Sequence, residues 1–273
     1  MKRMITWLSS LLFQKDNQAS CFRTALDQWK RERAAIAQNH RFLLMCIIFQ
    51  WVHNLATNLA RFLHVPQTPL YDLGFALIPK IDTEYEFLCD VVFSICIAIT
   101  ISVWVSPFCS SRPSITSTGM LSRFMAVLVL AQSLRILTFV MTDLPGPSPR
   151  CKPDHELFNQ PQSLSDILWR SWSGMFSHGC GELVFSSRVL LVVLCLLTVS
   201  RYGRRRRLTI YFGVLATIYS MLMISARREY SLSIFIAWYV VPLLWIAYGR
   251  NFPDELLEVL PTRQPKEEQG RSD

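Results

Sequence analysis

The 273-residue sequence has few charged residues and none of the short motifs that identify common soluble enzymes. Only 18% of its residues are charged, whereas soluble domains usually contain about a quarter, so a soluble globular protein is a poor fit. Cys-x-x-Cys, His-Glu-x-x-His, Walker-loop and Gly-x-Ser-x-Gly patterns are absent, so the sequence predicts neither a metal site nor a cofactor. Hydrophobic residues make up 51% of the chain, and this abundance excludes intrinsic disorder.

The apolar residues are concentrated in six windows, each close to the roughly 20 residues that a helix needs to cross a bilayer. They show no sustained alternation of apolar and polar residues, which makes a transmembrane β-barrel a poor fit. The windows are Phe42–Leu59, Phe87–Val105, Phe124–Met141, Leu183–Val199, Leu208–Ser225 and Leu232–Tyr248. The sequence therefore predicts an all-α polytopic membrane protein with six transmembrane helices.

The loops between these windows differ in their content of Lys and Arg. The two termini and the loops after the second and fourth windows hold 19 of the 28 basic residues, whereas the other three loops hold seven. Because basic loops stay on the cytosolic side of a membrane, both termini are predicted to be cytosolic. The densest block, Arg201–Arg207, is interpreted as a topology anchor at anionic headgroups, so the net charge of +8 predicts no nucleic-acid partner.

This topology divides the sequence into three parts. Residues 1–41 are predicted to form a cytosolic N-terminal tail, residues 42–249 a six-span membrane domain and residues 250–273 a disordered cytosolic C-terminal tail. The apolar stretch Met4–Phe13 is short and lacks a small-x-small cleavage site. We therefore interpret it as a segment that lies on the cytosolic leaflet rather than as a signal peptide.

Three fully charged residues fall inside the windows, namely Asp90, Arg135 and Arg188. Asp90 and Arg188 are near window ends, where polar side chains usually reach the membrane surface. Arg135 is about two helical turns from the lumenal end of the third window, and charges at such depths often mark substrate paths. Two alternatives stay open for Arg135: a structural partner, such as Asp90 or a backbone carbonyl, and a phosphate-binding role.

The eight cysteines fall into groups with different expectations. Cys151 and Cys180 lie in the long loop that is predicted to be lumenal, and an oxidising lumen permits a disulfide between them. Four others lie within the apolar windows and are interpreted as small buried residues. These four are Cys46, Cys89, Cys96 and Cys195.

Four segments, in order along residues 40–250, resemble the motifs of the sphingomyelin synthase-like family, which is related to lipid phosphate phosphatase-like membrane enzymes. The third of them, Cys180-Gly181-Glu182-Leu183-Val184-Phe185-Ser186, is similar to the family's Cys-Gly-Asp-x-x-Phe-Ser-Gly-His motif. The other three are Pro69-Leu70-x-Asp72-Leu73-Gly74-Phe75, then Arg135-x-x-Thr138 with Leu144-Pro145-x-Pro147, and finally Tyr230-Ser231 with Ala237-x-Tyr239-Val240.

The resemblance implies transfer of phosphocholine or phosphoethanolamine from a glycerophospholipid to ceramide at the lumenal face. In the family, one His attacks the phosphorus while an Asp orients it, and a second His protonates the departing diacylglycerol oxygen. The implied partners are ceramide with phosphatidylcholine or phosphatidylethanolamine, and family members with which the chain would form oligomers. The implied location is the Golgi, the endoplasmic reticulum or the plasma membrane.

All three catalytic positions of the family are substituted here. The chain has Arg188 and Glu229 at the two His positions and Ser233 at the Asp position. Arg188 cannot act as a general acid near neutral pH, because a guanidinium has a pKa above about 12. The resemblance leaves four substrate-binding candidates, namely Arg135, Glu182, Ser186 and Tyr230.

Three functional alternatives follow from the sequence. The chain is a catalytically degenerate relative that binds lipid or assembles with active family members, an active transferase with a rearranged site, or a membrane transporter. A transporter would be expected to carry an internal repeat and facing polar residues deep in its spans, so it ranks last. A rearranged site would require a displaced catalyst. The lumenal candidates are His64, His155 and His178, of which His178, next to Gly179 and Cys180, is the main one.

Overall fold

The computed structural model describes residues 2–65, 67–109, 116–142, 144–148, 151, 161, 163–173, 183–203 and 205–252, with backbone alone for 2–24, 83, 109 and 173. Within these residues the chain forms α-helices and two short 3-10 turns, at Thr83–Tyr85 and Ser106–Cys109, and no strand. The helices are α1 Lys2–Leu63, α2 Leu73–Leu77, α3 Phe87–Val105, α4 Ser117–Met141, α5 Leu164–Ser173, α6 Ser187–Tyr202, α7 Arg206–Ser225 and α8 Ser231–Asn251.

Five of the helical segments in the described part of the chain are long and apolar enough to cross a bilayer. They are Ala25–Leu63, Phe87–Phe108, Ser117–Met141, Arg206–Ser225 and Ser231–Asn251. The prediction of an all-helical membrane protein is therefore confirmed. The remaining window, the fourth in chain order, corresponds to α6, which has 16 residues and a length of about 24 Å at the usual rise per residue. The count of six spans stays a prediction, as does the cytosolic placement of both termini.

Helix α6 is the centre of the bundle. It packs against α3, α4, α7 and α8, and several of its apolar side chains have no more than 1% of their surface exposed. This burial explains why its sequence is apolar on every face, since such a helix must be surrounded by other helices or by lipid. The side chains are Val189, Leu190, Val192, Val193, Leu194 and Cys195.

Helix α1 passes without interruption through the predicted boundary between residues 41 and 42. No Gly or Pro occurs between Lys2 and Leu63, so no residue there removes a helical hydrogen bond or loosens the backbone. The N-terminal segment is thus helical and continuous with the first span. The division of the chain into residues 1–41, 42–249 and 250–273 stays a prediction, and residues 253–273 lie outside the described residues.

Helices α1 and α4 lie side by side and run in the same direction. Near one end, both Glu32 carboxylate oxygens accept hydrogen bonds from the first turn of α4, at 2.6 Å from the Ser117 N–H and 2.9 Å from the Thr118 N–H. Further along, Gln50 and Gln132 exchange hydrogen bonds at 2.7 and 3.0 Å. The capping carboxylate satisfies backbone N–H groups that a helix start leaves open, so it fixes the register of the two helices.

The helix ends meet at two sides of the bundle. At the side that we call the site end, α1, α4 and α7 finish and α3, α6 and α8 begin. Two contacts hold it together across long sequence distances: the Tyr230 hydroxyl donates to the Pro145 carbonyl at 2.7 Å, and Arg228 lies 3.6 Å from Glu86. The functional candidates lie at this end.

Candidate functional site

The first turn of α6 carries Arg188 into a charged cluster at the site end. Arg188 Nη1 donates to Asp90 Oδ1 at 2.8 Å. Arg228 binds the same carboxylate at 3.1 to 3.3 Å and also reaches Glu86. The Arg228 side chain is 6% exposed, whereas Asp90 is 50% exposed. Asp90 therefore bridges two guanidinium groups at the surface of the bundle, and it pairs with Arg188 instead of extending separately to the membrane surface.

These contacts keep Arg228 charged. Burial lowers the pKa of this guanidinium, but the hydrogen bonds and charge of Asp90 outweigh that effect and raise the pKa above its ordinary value. A buried guanidinium next to carboxylates is stable only if its protons are hydrogen-bonded. In the cluster of Glu86, Asp90, Arg188 and Arg228, called the charged cluster below, both Arg228 Nη atoms bind the Asp90 carboxylate, while the buried Arg228 Nε has no hydrogen-bond partner among the described residues. The cluster joins the start of α3, the start of α6 and the connection between α7 and α8.

The start of α8 brings Glu229 and Ser233 together. The Ser233 hydroxyl lies 3.2 Å from Glu229 Oε2 and 2.7 Å from the Tyr230 carbonyl, and this side chain is completely buried. The Ser186 N–H, just before α6, donates to the Ser233 carbonyl at 3.5 Å. Tyr219 on α7 interacts electrostatically with both Arg188 and Glu229. The three predicted positions thus lie close together, around the junction of α6, α7 and α8.

Arg135 approaches this junction from the other side. Its Nε donates to the Phe185 carbonyl at 2.8 Å, one residue before Ser186. Its Nη1 lies 2.8 Å from His53 Nε2, and its guanidinium is 5.6 Å from the Phe139 ring. Of the two structural partners that the sequence suggested, the structure shows the backbone carbonyl, because Asp90 is engaged by Arg188 and Arg228. The contacts described for Arg135 connect α4, α1 and the segment that enters α6.

Tyr230 ties three of the motif segments together. Its hydroxyl donates to the Pro145 carbonyl and accepts from the Leu70 N–H at 3.1 Å, while its ring stacks on Phe75 at 5.6 Å. Burial raises the pKa of this hydroxyl. The predicted role of Tyr230 in substrate binding stays a prediction, and the contacts themselves describe a structural connection.

Asp72 performs a similar task between α2 and α8. Its carboxylate accepts from the Ser231 N–H at 2.8 Å and the Ser231 hydroxyl at 2.7 Å, and it also caps α2 through Gly74 and Phe75. Burial raises the pKa of Asp72, but these hydrogen bonds outweigh it, so the pKa falls below its ordinary value. A Cβ on Gly74 would lie 2.8 Å from Ser231 Cβ, so the close approach of the two helix starts requires glycine.

Several predicted residues cannot be compared with the structure. Glu182, Cys180, His155 and His178 lie outside the described residues. Cys151 is buried and disulfide-bonded. Its pairing with Cys180 stays a prediction. The thiols of Cys46, Cys89, Cys96 and Cys195 are free and buried, as expected for small residues inside helices.

Sequence reasoning missed Glu86 and Arg228. Both belong to connections rather than to apolar windows, and Arg228 was counted only as a basic residue of a loop. A weak signal existed. Asp90 inside a window needs a cation nearby, and the short loop between the fifth and sixth windows contains two adjacent arginines, Arg227 and Arg228. The partner could not be selected, because Arg228 is 138 residues from Asp90.

The fold and this site define a polytopic helical membrane protein whose polar residues converge where three helices begin. A family model described as PAP2 superfamily C-terminal matches residues 179–250. Phosphatidylinositol:ceramide inositolphosphotransferase 2 of Arabidopsis thaliana is 30% identical over 256 residues, covering 88% of this chain and 83% of the relative.

Two further relatives agree. Phosphatidylinositol:ceramide inositolphosphotransferase 3 of Arabidopsis thaliana is 30% identical over 241 residues, 85% of this chain and 83% of the relative. The phosphatidylinositol:ceramide inositolphosphotransferase of Oryza sativa subsp. indica is 31% identical over 242 residues, 85% of this chain and 74% of the relative. The chain therefore belongs to the same family as these phosphatidylinositol:ceramide inositolphosphotransferases.

Proposed function

We propose that this chain is a catalytically degenerate member of the family, which keeps the membrane fold and a lumenal lipid-binding site but does not transfer headgroups through a phosphohistidine. The observation that carries the proposal is the pairing of Arg188 with Asp90 at 2.8 Å. Arg188 occupies the position at which the motif resemblance expects a catalytic His. Its guanidinium is bound to a carboxylate instead of being available as an acid or a nucleophile.

The chemistry of the other two positions supports the same proposal. The reaction needs an imidazole oriented by a carboxylate one helical turn away. Glu229 and Ser233 keep that spacing and their hydrogen bond, but the serine hydroxyl cannot stabilise a positive charge on its partner as a carboxylate does. The pair preserves the contact between the two positions but contains neither an imidazole nor a carboxylate that could orient one.

The charged cluster also works against binding of a substrate phosphate at Arg188. A phosphate is held by cationic donors that lose few other interactions when it arrives. Arg188 and Arg228 already share Asp90, and Arg228 also faces Glu86. A phosphate entering here would have to displace a carboxylate, which weakens its binding. Lipid binding is therefore proposed through ceramide and the apolar part of a glycerophospholipid more than through the phosphate.

The lipid classes to be tested follow from two sources. The relatives' names specify phosphatidylinositol and ceramide, whereas the motif resemblance suggested phosphatidylcholine or phosphatidylethanolamine as the donor. We include all three donors with ceramide as the acceptor. We also propose that α6 is a sixth span and that both termini are cytosolic, which places the site end in the lumen of the Golgi or endoplasmic reticulum.

A transfer assay tests the proposal directly. The purified chain is reconstituted in liposomes with short-chain fluorescent ceramide and phosphatidylinositol, phosphatidylcholine or phosphatidylethanolamine, and products are separated by thin-layer chromatography. We expect no labelled phosphosphingolipid with any donor. A robust product would contradict degeneracy. In that case Glu229→Gln would show whether Glu229, the one carboxylate at a family catalytic position, acts as a rearranged nucleophile or base.

A triple variant provides the positive control. Arg188→His, Glu229→His and Ser233→Asp together restore the residue types of the family at all three positions. We expect transfer activity in this variant, and none in a matched triple that carries Ser233→Asn, because the amide occupies the same volume without the charge. Crosslinking of a diazirine-bearing ceramide to the unaltered chain tests binding separately from catalysis, and a chain that captures no ceramide would contradict the lipid-binding half of the proposal.

A further inference from the structure

Helix α5, in the connection between α4 and α6, has three distinct faces. Ile167 and Ser171 are both 2% exposed and pack on α1, where Asn58 Nδ2 donates to Ser171 Oγ at 3.1 Å. Asp166 and Arg170 form an ion pair at 2.8 Å on a second face. The third face is apolar and exposed, and it consists of Leu164 at 69%, Leu168 at 52%, Trp169 at 71% and Trp172 at 82%.

Helical geometry determines how these three faces are arranged around the axis of α5. With about 100° between successive residues, Leu164, Leu168 and Trp172 follow one stripe and Trp169 lies beside it. Asp166 and Arg170 fall nearly opposite this stripe. The packing face with Ile167 lies between the two. A ten-residue helix with one apolar face, one charged face and flanking tryptophans is typical of a segment at a membrane surface.

The register of α1 and α4 gives the depth of α5. The pairs Gln50–Gln132 and His53–Arg135 are both separated by 82 residues, so the two helices advance together toward the site end. Continued along α1, the same register brings Asn58, which holds α5, level with Val140 in the last turn of α4. Val140 and Met141 are 73% and 80% exposed. Helix α5 thus packs on the last turns of α1, at the depth of the last turn of α4.

We infer that α5 lies in the plane of the membrane with its apolar face inserted into the leaflet at the site end. The end of α1, the helix on which α5 packs, also exposes apolar side chains, namely Leu59 and Leu63. The lipid that covers the spans therefore also reaches α5 without any additional partner. Indole rings favour this interfacial depth because they combine an apolar body with an N–H donor. The inference does not depend on the proposed function.

The inference predicts where lipid contacts α5. The full-length chain is reconstituted in phosphatidylcholine vesicles that contain an alkyne-tagged phosphatidylcholine, with photoreactive p-benzoylphenylalanine at Leu168 or Trp172. Matched variants carry the same residue at Asp166 or Arg170, on the charged face of the same helix. We expect lipid adducts several-fold more abundant from positions 168 and 172 than from positions 166 and 170.

Two results would overturn the inference. Equal or absent lipid adducts at all four positions would show that the apolar face is not in the leaflet. Crosslinked protein dimers from positions 168 and 172, in place of lipid adducts, would assign the face to a second copy of the chain. Each variant is first checked for an unchanged thermal unfolding midpoint, with a thiol-reactive dye that reports exposure of the buried free cysteines. A variant of the apolar face that fails the check is replaced by one at Leu164, on the same face.

Discussion

Two regions of the site end use polar side chains in opposite ways. The first, called the frame here, consists of Arg135, Tyr230 and Asp72, and its side chains bind mainly backbone groups of neighbouring segments. The second is the charged cluster around Arg188, in which side chains bind other side chains. The frame joins the loops and helix starts, whereas the cluster contains one of the positions at which the family chemistry is expected.

The difference indicates which side chains can change without a change of fold. A backbone carbonyl is present whatever residue carries it, so a side chain that binds one continues to fix the chain after its neighbours change. A pair of side chains can change without moving the backbone, provided that no buried charge is left without compensation. We therefore expect substitutions in the frame to affect folding most, and substitution of Arg188 to affect it least, because Arg228 and Asp90 then still compensate each other.

Arg135→Met should have the largest effect on stability. The side chain is 2% exposed, and the change removes the hydrogen bonds to the Phe185 carbonyl and to His53 while leaving both groups buried. We expect a loss of about 3 kcal/mol in the free energy of unfolding. The thermal midpoint can be followed with the thiol-reactive dye, since four buried cysteines become accessible on unfolding. Arg135→Lys, which keeps the charge, should lose less, and an unchanged midpoint for Arg135→Met would remove Arg135 from the frame.

Tyr230→Phe should have the next largest effect. The variant keeps the stacking on Phe75 and loses only the hydroxyl that links Pro145 and Leu70. We expect a cost of about 1–2 kcal/mol, measured by the same thermal assay. Tyr239→Phe is the matched control, because the Tyr239 side chain is 62% exposed. A similar loss in both variants would show that the Tyr230 hydroxyl has no special part in joining the loops.

The residues of the frame could be predicted in part from the sequence, whereas the ion pairs of the charged cluster could not. The window Phe87–Val105 coincides with α3, because bilayer thickness sets the length of an apolar run. Helix α5 was missed since its ten residues are far too few for a spanning window. Arg135, Asp72 and Tyr230 belong to recognisable motif segments. Their partners could not be predicted, because a backbone group can accept or donate a hydrogen bond whatever side chain its residue carries.

The ion pairs of the charged cluster were beyond sequence reasoning for a related reason. Arg188 and Asp90 are 98 residues apart, and a single sequence contains no signal that selects one carboxylate among several for a given guanidinium. The extension of α1 was also missed, although its cause is local. The segment before Phe42 has no Gly or Pro, and hydropathy windows do not register a polar helix that continues a span.

Asp72 gives the frame a dependence on pH. Because its folded-state pKa is below the ordinary value of 3.8, the stabilisation is fully present above that pH and is lost as the pH falls through the folded-state pKa. Asp72→Asn keeps a capping oxygen and removes the titrating group. We expect the difference between the unaltered chain and Asp72→Asn to be constant from pH 7 to pH 5 and to shrink below pH 4. A difference that instead shrinks between pH 7 and pH 5 would assign the dependence to another group.

The smallest effect on folding is expected in Arg188→Met, at a position where the motif resemblance expects a His. Asp90 is half exposed, and an ion pair with such a residue contributes no more than about 1 kcal/mol. The variant should therefore unfold close to the unaltered chain, because Arg228 still holds the Asp90 carboxylate. If Arg188→Met destabilises the chain as much as Arg135→Met, then Arg188 belongs to the frame, and its presence at this position reflects a structural requirement.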